Sequence, residues 1–187
     1  MGFLDALLGR SKPAPPNLDQ LFALPAAAVT LQAASDLRAT GTGSVCFKAA
    51  EGAPFAGMRD QVEQLLALEG GKYTEQSDAY GFTWLVRRTD PPDLESLVTD
   101  LHSVNSGLLD AGFGSALLCT VVCFTAGDRP LSLVYLFKRG TWYPFAPLEG
   151  GRRDNARELE VGAVLGSDLR IEPDRSRWFP VYGAPGL

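Results

Sequence analysis

The chain has 187 residues, 45% of them apolar and 21% charged, with a formal net charge of −5. That length suits one domain able to bury roughly 70% of the surface its unfolded chain exposes, so its core needs neither a disulfide nor a metal. Nucleic-acid binders carry a basic stripe, and the sequence has none, which argues against a nucleic-acid partner.

Three cysteines, Cys46, Cys119 and Cys123, form an odd set with no secretory leader and point to a reducing compartment. The opening MGFLDALLGR has too short an apolar run, broken by Asp5, for a signal peptide, and Ala6 breaks the myristoylation pattern. No uninterrupted apolar stretch reaches the length of a membrane span. The expected location is cytoplasmic.

Phe3, Leu4, Leu7 and Leu8 share one face of a short amphipathic helix, and SKPAPP (11–16) follows as a semi-rigid linker. Residues 1–16 therefore read as a tethered helix, and 17–187 as a single α+β domain with an irregular C-terminal tail. Such a helix can dock on its own domain, in a partner groove or on a membrane surface. Short isolated helices are marginal in water, which favours self-docking.

Asn17 reads as the N-cap of a short helix, LDQLFAL, that stops near Pro25. AAVTLQA (27–33) and SVCFKAA (44–50) read as strands flanking a turn-rich ATGTG (39–43). Pro54 suits the first turn of a helix whose face carries Phe55, Met58, Val62, Leu65 and Leu66, ended by Gly70 and Gly71. KYTEQ (72–76) and YGFTWLVRR (80–88) form a hairpin with strand alternation. Residues 91–114 give the clearest helix, with Asp93 as N-cap, a stripe of Leu94, Leu97, Val98, Leu101, Val104 and Leu108, and Gly112 as C-cap. ALLCTVVCFTA (116–126), LSLVYLFKRG and WYPFAP then make an antiparallel meander, followed by a helix over about 154–165 and an irregular RWFPVYGAPGL. Strands grouped by short turns and separated by helices predict an α+β fold: a mostly antiparallel sheet with helices packed on it.

Chemistry enters mostly by elimination. His102 is the only histidine, which excludes His-pair zinc motifs. His102 and Ser106 lie one helical turn apart, but a regular helix interior offers no oxyanion hole, and the pair reads as a solvated polar face. Asn105 falls on the apolar stripe and needs hydrogen-bond partners, so it is read as a tie to a neighbouring backbone. Cys119 and Cys123 share a strand face roughly 13 Å apart, too far for a disulfide, and read as buried small hydrophobes with Cys46 the only other thiol. GTGS (41–44) and GFGS (112–115) lack the strand-before, helix-after order of a phosphate loop and read as turns or caps. No close carboxylate pair stands out for acid–base work. The sequence thus predicts no catalytic residue, no cofactor and no metal. The alternative is a small-molecule or peptide binder, or a hydrolase using His102 and Ser106.

KRGTWYPFAP (138–147) places Lys138–Gly140 at a hairpin turn and Trp142 and Tyr143 on opposite faces of the return strand. One aromatic must be covered or stand exposed, and Pro144 puts the strand at a sheet edge or ends it. Arg152 and Arg153 precede a helix start, where cations oppose the helix dipole, so they could face an acidic partner. Residues 138–177 hold eight Lys or Arg against seven Asp or Glu in an otherwise acidic chain. The candidate partner-binding residues are Phe3, Leu4, Leu7, Leu8, Trp142, Tyr143, Arg152, Arg153 and Trp178.

MGFLDALLGR, DLHSVNSGLLDAGFG, VYLFKRGTWYPFAP, RRDNARELE and RWFPVYGAPGL together resemble the PspA-associated protein family PspAB of actinobacteria. The likeness runs through nearly the whole chain and is densest from Tyr80 onward. It implies association with the phage-shock, envelope-stress system, which centres on PspA, a coiled-coil protein of the membrane surface. Proteins of this kind tend to be encoded near an HtpX-type membrane protease, a second candidate partner system. The resemblance carries no catalytic signature. It implies a non-enzymatic adaptor that binds a protein partner and contacts the inner face of the membrane peripherally. The element order is also similar to the type III secretion chaperone-like fold.

Overall fold

The computed structural model describes residues 16–48, 64, 67 and 73–187. Phe3, Leu4, Leu7 and Leu8 lie outside the described residues, as does most of the helix expected after Pro54, of which Gln64 and Ala67 are helical and exposed.

A 3-10 segment, Leu18–Ala23, runs directly into helix α1, Leu24–Ser35. This corrects two expectations: Pro25 begins the α-helix instead of stopping one, and the strand expected over 27–33 is the middle of α1. The physical reason is local. Pro25 stands in the first turn, where its missing N–H has no helical partner to lose. Alanines dominate the rest, and Leu24, Ala27 and Leu31 recur at helical spacing as its buried face.

Strand β1, Arg38–Phe47, is also longer at its start than expected. The ATGTG stretch and GTGS are not a separate turn but lie inside it, with a register irregularity against β4 between Ala39 and Gly43. Gly41 has φ +77, a conformation that favours glycine, and marks that bulge. Gly43 has a different purpose: a Cβ there would come 2.7 Å from Leu101 Cδ1, so the glycine lets a helix lie close on the strand.

That helix is α2, Leu94–Leu108, capped by Asp93, whose carboxylate accepts from Ser96 N–H at 3.0 Å. Its expected stripe is buried at Leu97, Val98, Leu101, Val104 and Leu108. The remaining strands are β2 Tyr73–Ser77, β3 Thr83–Arg88, β4 Leu117–Ala126, β5 Arg129–Leu136 and β6 Thr141–Phe145. They join β1 in one six-stranded sheet, ordered β2-β3-β1-β4-β5-β6, with every pair antiparallel. A ribbon of β7, Pro147–Leu148, and β8, Arg152–Arg153, leads to helix α3, Asn155–Val164, which Asp154 caps through Arg157 N–H. The α+β architecture expected from the sequence is the one observed.

Alternation gives the sheet two apolar faces. Val45, Leu85, Val122, Phe124, Leu133, Tyr135 and Trp142 belong to the core shared with the helices. Cys46, Trp84, Val86, Cys119, Val121, Cys123, Val134, Tyr143 and Phe145 form a second buried cluster, joined by Trp178 and Ala184 of the tail. An irregular C-terminal segment, not a helix, thus covers this second face. Strand β6 is the edge that Pro144 foretold. Its outer side is partly closed by Trp142 N–H donating to Arg170 C=O and Glu172 N–H donating to Trp142 C=O, both at 2.8 Å.

Candidate functional site

A single rung crosses the second face. Gln76 opposes Trp84, Trp84 opposes Cys46, Cys46 opposes Cys119, Cys119 opposes Leu136, and Leu136 opposes Thr141. Two small thiols thus lie side by side between the larger Trp84 and Leu136. The depression they leave opens into an apolar cavity of about 620 Å³. Its walls come from the β2–β3 hairpin (Asp78, Tyr80, Phe82), from Tyr143, and from tail residues 179–183.

The hairpin wall is fixed by Asp78. Its Oδ1 accepts from Tyr80 N–H at 2.9 Å and Phe82 N–H at 3.0 Å, and its Oδ2 accepts from the Trp84 indole N–H at 2.9 Å. Burial works to raise this carboxyl, but the indole and backbone donors outweigh it and hold it below its ordinary range. Gly183 lies against Asp78, where a Cβ would stand 3.3 Å from Oδ2, so the tail packs directly on the hairpin.

The tail wall is tied at several points. Tyr143 OH donates to Phe179 C=O at 2.9 Å, and its ring stacks on Trp178 with centroids 6.1 Å apart. Burial, the largest influence, pushes the Tyr143 phenol up. The Trp178 indole N–H donates to Glu172 C=O at 2.9 Å. Tyr182 meets Phe145 edge to face at 5.0 Å and donates its OH to Gly151 C=O at 2.7 Å. The floor is quiet chemically. A hydrogen bond with Cys119, then burial, pushes the Cys46 thiol well up, and on the same sheet face but outside the cavity lining burial pushes Cys123 up to about 11. Among the described residues no group of three or more His, Cys, Asp or Glu is placed to hold a metal ion.

Three of the lining aromatics are exposed at the surface: Tyr80 is 72% exposed, Phe179 57% and Tyr182, which also packs on Phe145, 39%. Aromatic surface of this kind around an apolar hollow is how protein and ligand anchors are accepted.

The family described as PspA associated protein B, PspAB, matches residues 1–186. The chain belongs to the PspAB family. The family's name records association with PspA. No curated protein and no solved structure matches the chain, so the expected likeness to type III secretion chaperones finds no counterpart. No helix among the described residues is long and apolar enough to cross a membrane.

Within this PspAB-family fold the expected partner-facing residues are placed very differently from one another. Trp142 is fully buried on the helix side against Tyr135, and Tyr143 is buried on the other side under the tail, so neither presents a free surface. The reason is that both sheet faces are covered, where the sequence required only one to be. Trp178 is also buried and packs the tail down. Arg153 turns inward: it pairs with Glu158 at 2.9 Å, donates to Trp178 C=O at 2.5 Å, and lies 5.2 Å from the Phe145 ring centroid. Its partner is the Glu158 carboxylate in the first turn of the helix that follows, which explains a cation before a helix start. Arg152 stays exposed and donates to Glu149 C=O.

His102 lies on the helix side, away from the cavity, with its Nε2 3.8 Å from Asp19 and its ring 4.6 Å from that of Phe22. That orientation is toward the N-terminal 3-10 segment and gives the Ser106 pairing no support. Asn105 does tie α2 to the sheet, though to a side chain: its amide donates to Thr120 Oγ1 at 2.9 Å and to Leu101 C=O at 2.8 Å. Sequence reasoning missed the rim residues and the thiol pairing. The available signal for the rim was aromatics beside chain breakers, Tyr80–Gly81 and Phe179–Pro180, where no regular element covers them.

Proposed function

We propose that this PspAB-family protein is a non-enzymatic adaptor that docks PspA on the aromatic rim formed by Tyr80, Phe179 and Tyr182. The observation that carries this reading is their concentration, exposed, around one apolar hollow. Isolated exposed apolar residues are ordinary, whereas a contiguous aromatic patch marks an interaction surface. The Asp78 bonds and the tail ties hold the patch in place before any partner arrives, which lowers the ordering cost of docking. The family name supplies the partner. A cytoplasmic protein held at the inner face of the membrane through PspA, with residues 1–16 adding an amphipathic contact of their own, completes the reading.

The test is capture of purified PspA by the wild-type chain and by a Tyr80→Ala/Phe179→Ala double variant. Both residues are exposed, so the variant should fold normally, and PspA binding should weaken by at least about tenfold. Equal capture by both proteins would remove the rim from the account. Flotation with anionic vesicles, with and without residues 1–16, separately tests the membrane contact.

A further inference from the structure

The rim explains an encounter with another protein but not the volume inside it. The polar side chains at the base of the cavity are already engaged by the chain itself. Asp78 accepts three N–H donors, Tyr143 OH donates to Phe179 C=O, and the Cys46 and Cys119 thiols face one another. A peptide backbone, a sugar or a nucleotide entering this space would bury donors and acceptors without partners, at a cost of roughly 1–3 kcal/mol for each unmade bond. Only an occupant free of polar atoms along its buried length fits. At roughly 30 Å³ for each water-sized group, the cavity has room for roughly twenty, more than any single side chain of a docking partner would fill. Its 620 Å³ also lies inside the range of small-molecule sites, roughly 300–1,000 Å³.

The Phe82 wall brings a charge with it. Lys48 is exposed, and its ammonium stands 5.5 Å from the centroid of the Phe82 ring, one of the cavity walls. The Asp78 carboxylate, on the same hairpin wall, faces its own N–H donors, and Lys48 is a cation able to meet an incoming head group.

We propose that the cavity binds the alkyl chain of a single-chain anionic amphiphile, with the chain lying over the Cys46–Cys119 floor and the head group at Lys48. The inference uses the same cavity as the adaptor reading, but it rests on the interior and not on the rim. The dimensions of the hollow come from two small side chains, so enlarging one of them closes it without touching the rim.

The experiment titrates the full chain with bromoundecanoic acid, kept below its micelle concentration, and follows tryptophan fluorescence, because bromine quenches an indole it touches. Saturable quenching is expected in wild type and should vanish in Trp84→Phe. Cys119→Leu, or Leu136→Trp should the first fail to fold, should weaken binding by at least about tenfold with an unchanged circular dichroism spectrum. Lys48→Glu should weaken the acid by about tenfold and leave the matching bromo-alcohol unaffected. Non-saturable quenching, or equal affinity in the filled variants, would overturn the chain site, and equal loss of acid and alcohol in Lys48→Glu would overturn the head-group assignment. PspA capture measured on the same proteins separates the two readings. Cys119→Leu that loses the acid but keeps PspA supports both, whereas a wild-type chain that binds the acid but captures no PspA strikes the rim alone.

Discussion

Cys46 and Cys119 are direct register partners on β1 and β4, and both line the cavity. Directly opposed residues on antiparallel strands bring their Cα atoms roughly 4.5–5.5 Å apart. The pair therefore acts as one small, soft surface between Trp84 and Leu136.

The first prediction concerns thiol reactivity. Hydrogen bonding to Cys119 and burial raise the Cys46 thiol, and burial raises Cys123, so the thiolates of Cys46 and Cys123 are scarce in the folded chain at neutral pH. Alkylation by iodoacetamide at neutral pH, followed by mass spectrometry, should run at least about a hundredfold slower on the native chain than on the unfolded one. Rapid native modification would contradict the burial described. A raised thiol also favours the folded state only below its ordinary value of 9.0. Stability should therefore decline as pH rises past that value, and less so in Cys46→Ala/Cys119→Ala.

The second prediction concerns Glu172, a fully buried carboxylate at the covered edge of β6. It accepts from the Arg139 guanidinium, from Thr141 Oγ1 at 2.7 Å and from Asp174 N–H at 3.1 Å. Burial alone would raise it, but Arg139, Thr141 and Asp174 outweigh burial and lower it from 4.5. A lowered carboxylate contributes stability that is complete above its unfolded value and is lost as pH falls through its folded value. Urea melts should show wild type weakening below pH 4.5 and Glu172→Gln weakening less across that window. At neutral pH Glu172→Gln should cost about 2–3 kcal/mol, because it replaces charge-assisted bonds with neutral ones and strands a donor. Parallel acid limbs in the two proteins would count against this network.

The third prediction concerns the buried pair Asn105 and Thr120. Asn105→Ala removes the amide that meets Thr120 Oγ1 and leaves a buried hydroxyl and a small void. It should cost about 1–3 kcal/mol in a chemical melt. Asn105→Leu/Thr120→Val should recover most of that loss, since both polar partners then leave together. Additive losses in the double variant would show that the pair is not coupled.

Sequence alone determined those parts whose signals are local. The apolar stripe and Asp93 cap defined α2, alternation and tight turns defined the β4–β5–β6 meander, and Pro144 announced an edge strand. Each rests on spacing within one element, which composition and period report directly. The strand expected at 27–33 failed where local cues were balanced: Val29 and Thr30 suggested a strand, while Pro25 and the surrounding alanines favoured the α1 that forms. Only the tertiary structure decided that Gly43 passes beneath Leu101, that Arg153 turns back to Glu158, and that Cys46 meets Cys119. Register between strands far apart in sequence is set by how whole faces pack, and a shift of one residue would send either thiol to the opposite side of the sheet. The cavity exists because of that register, which is why no stretch of the sequence, read by itself, contains it.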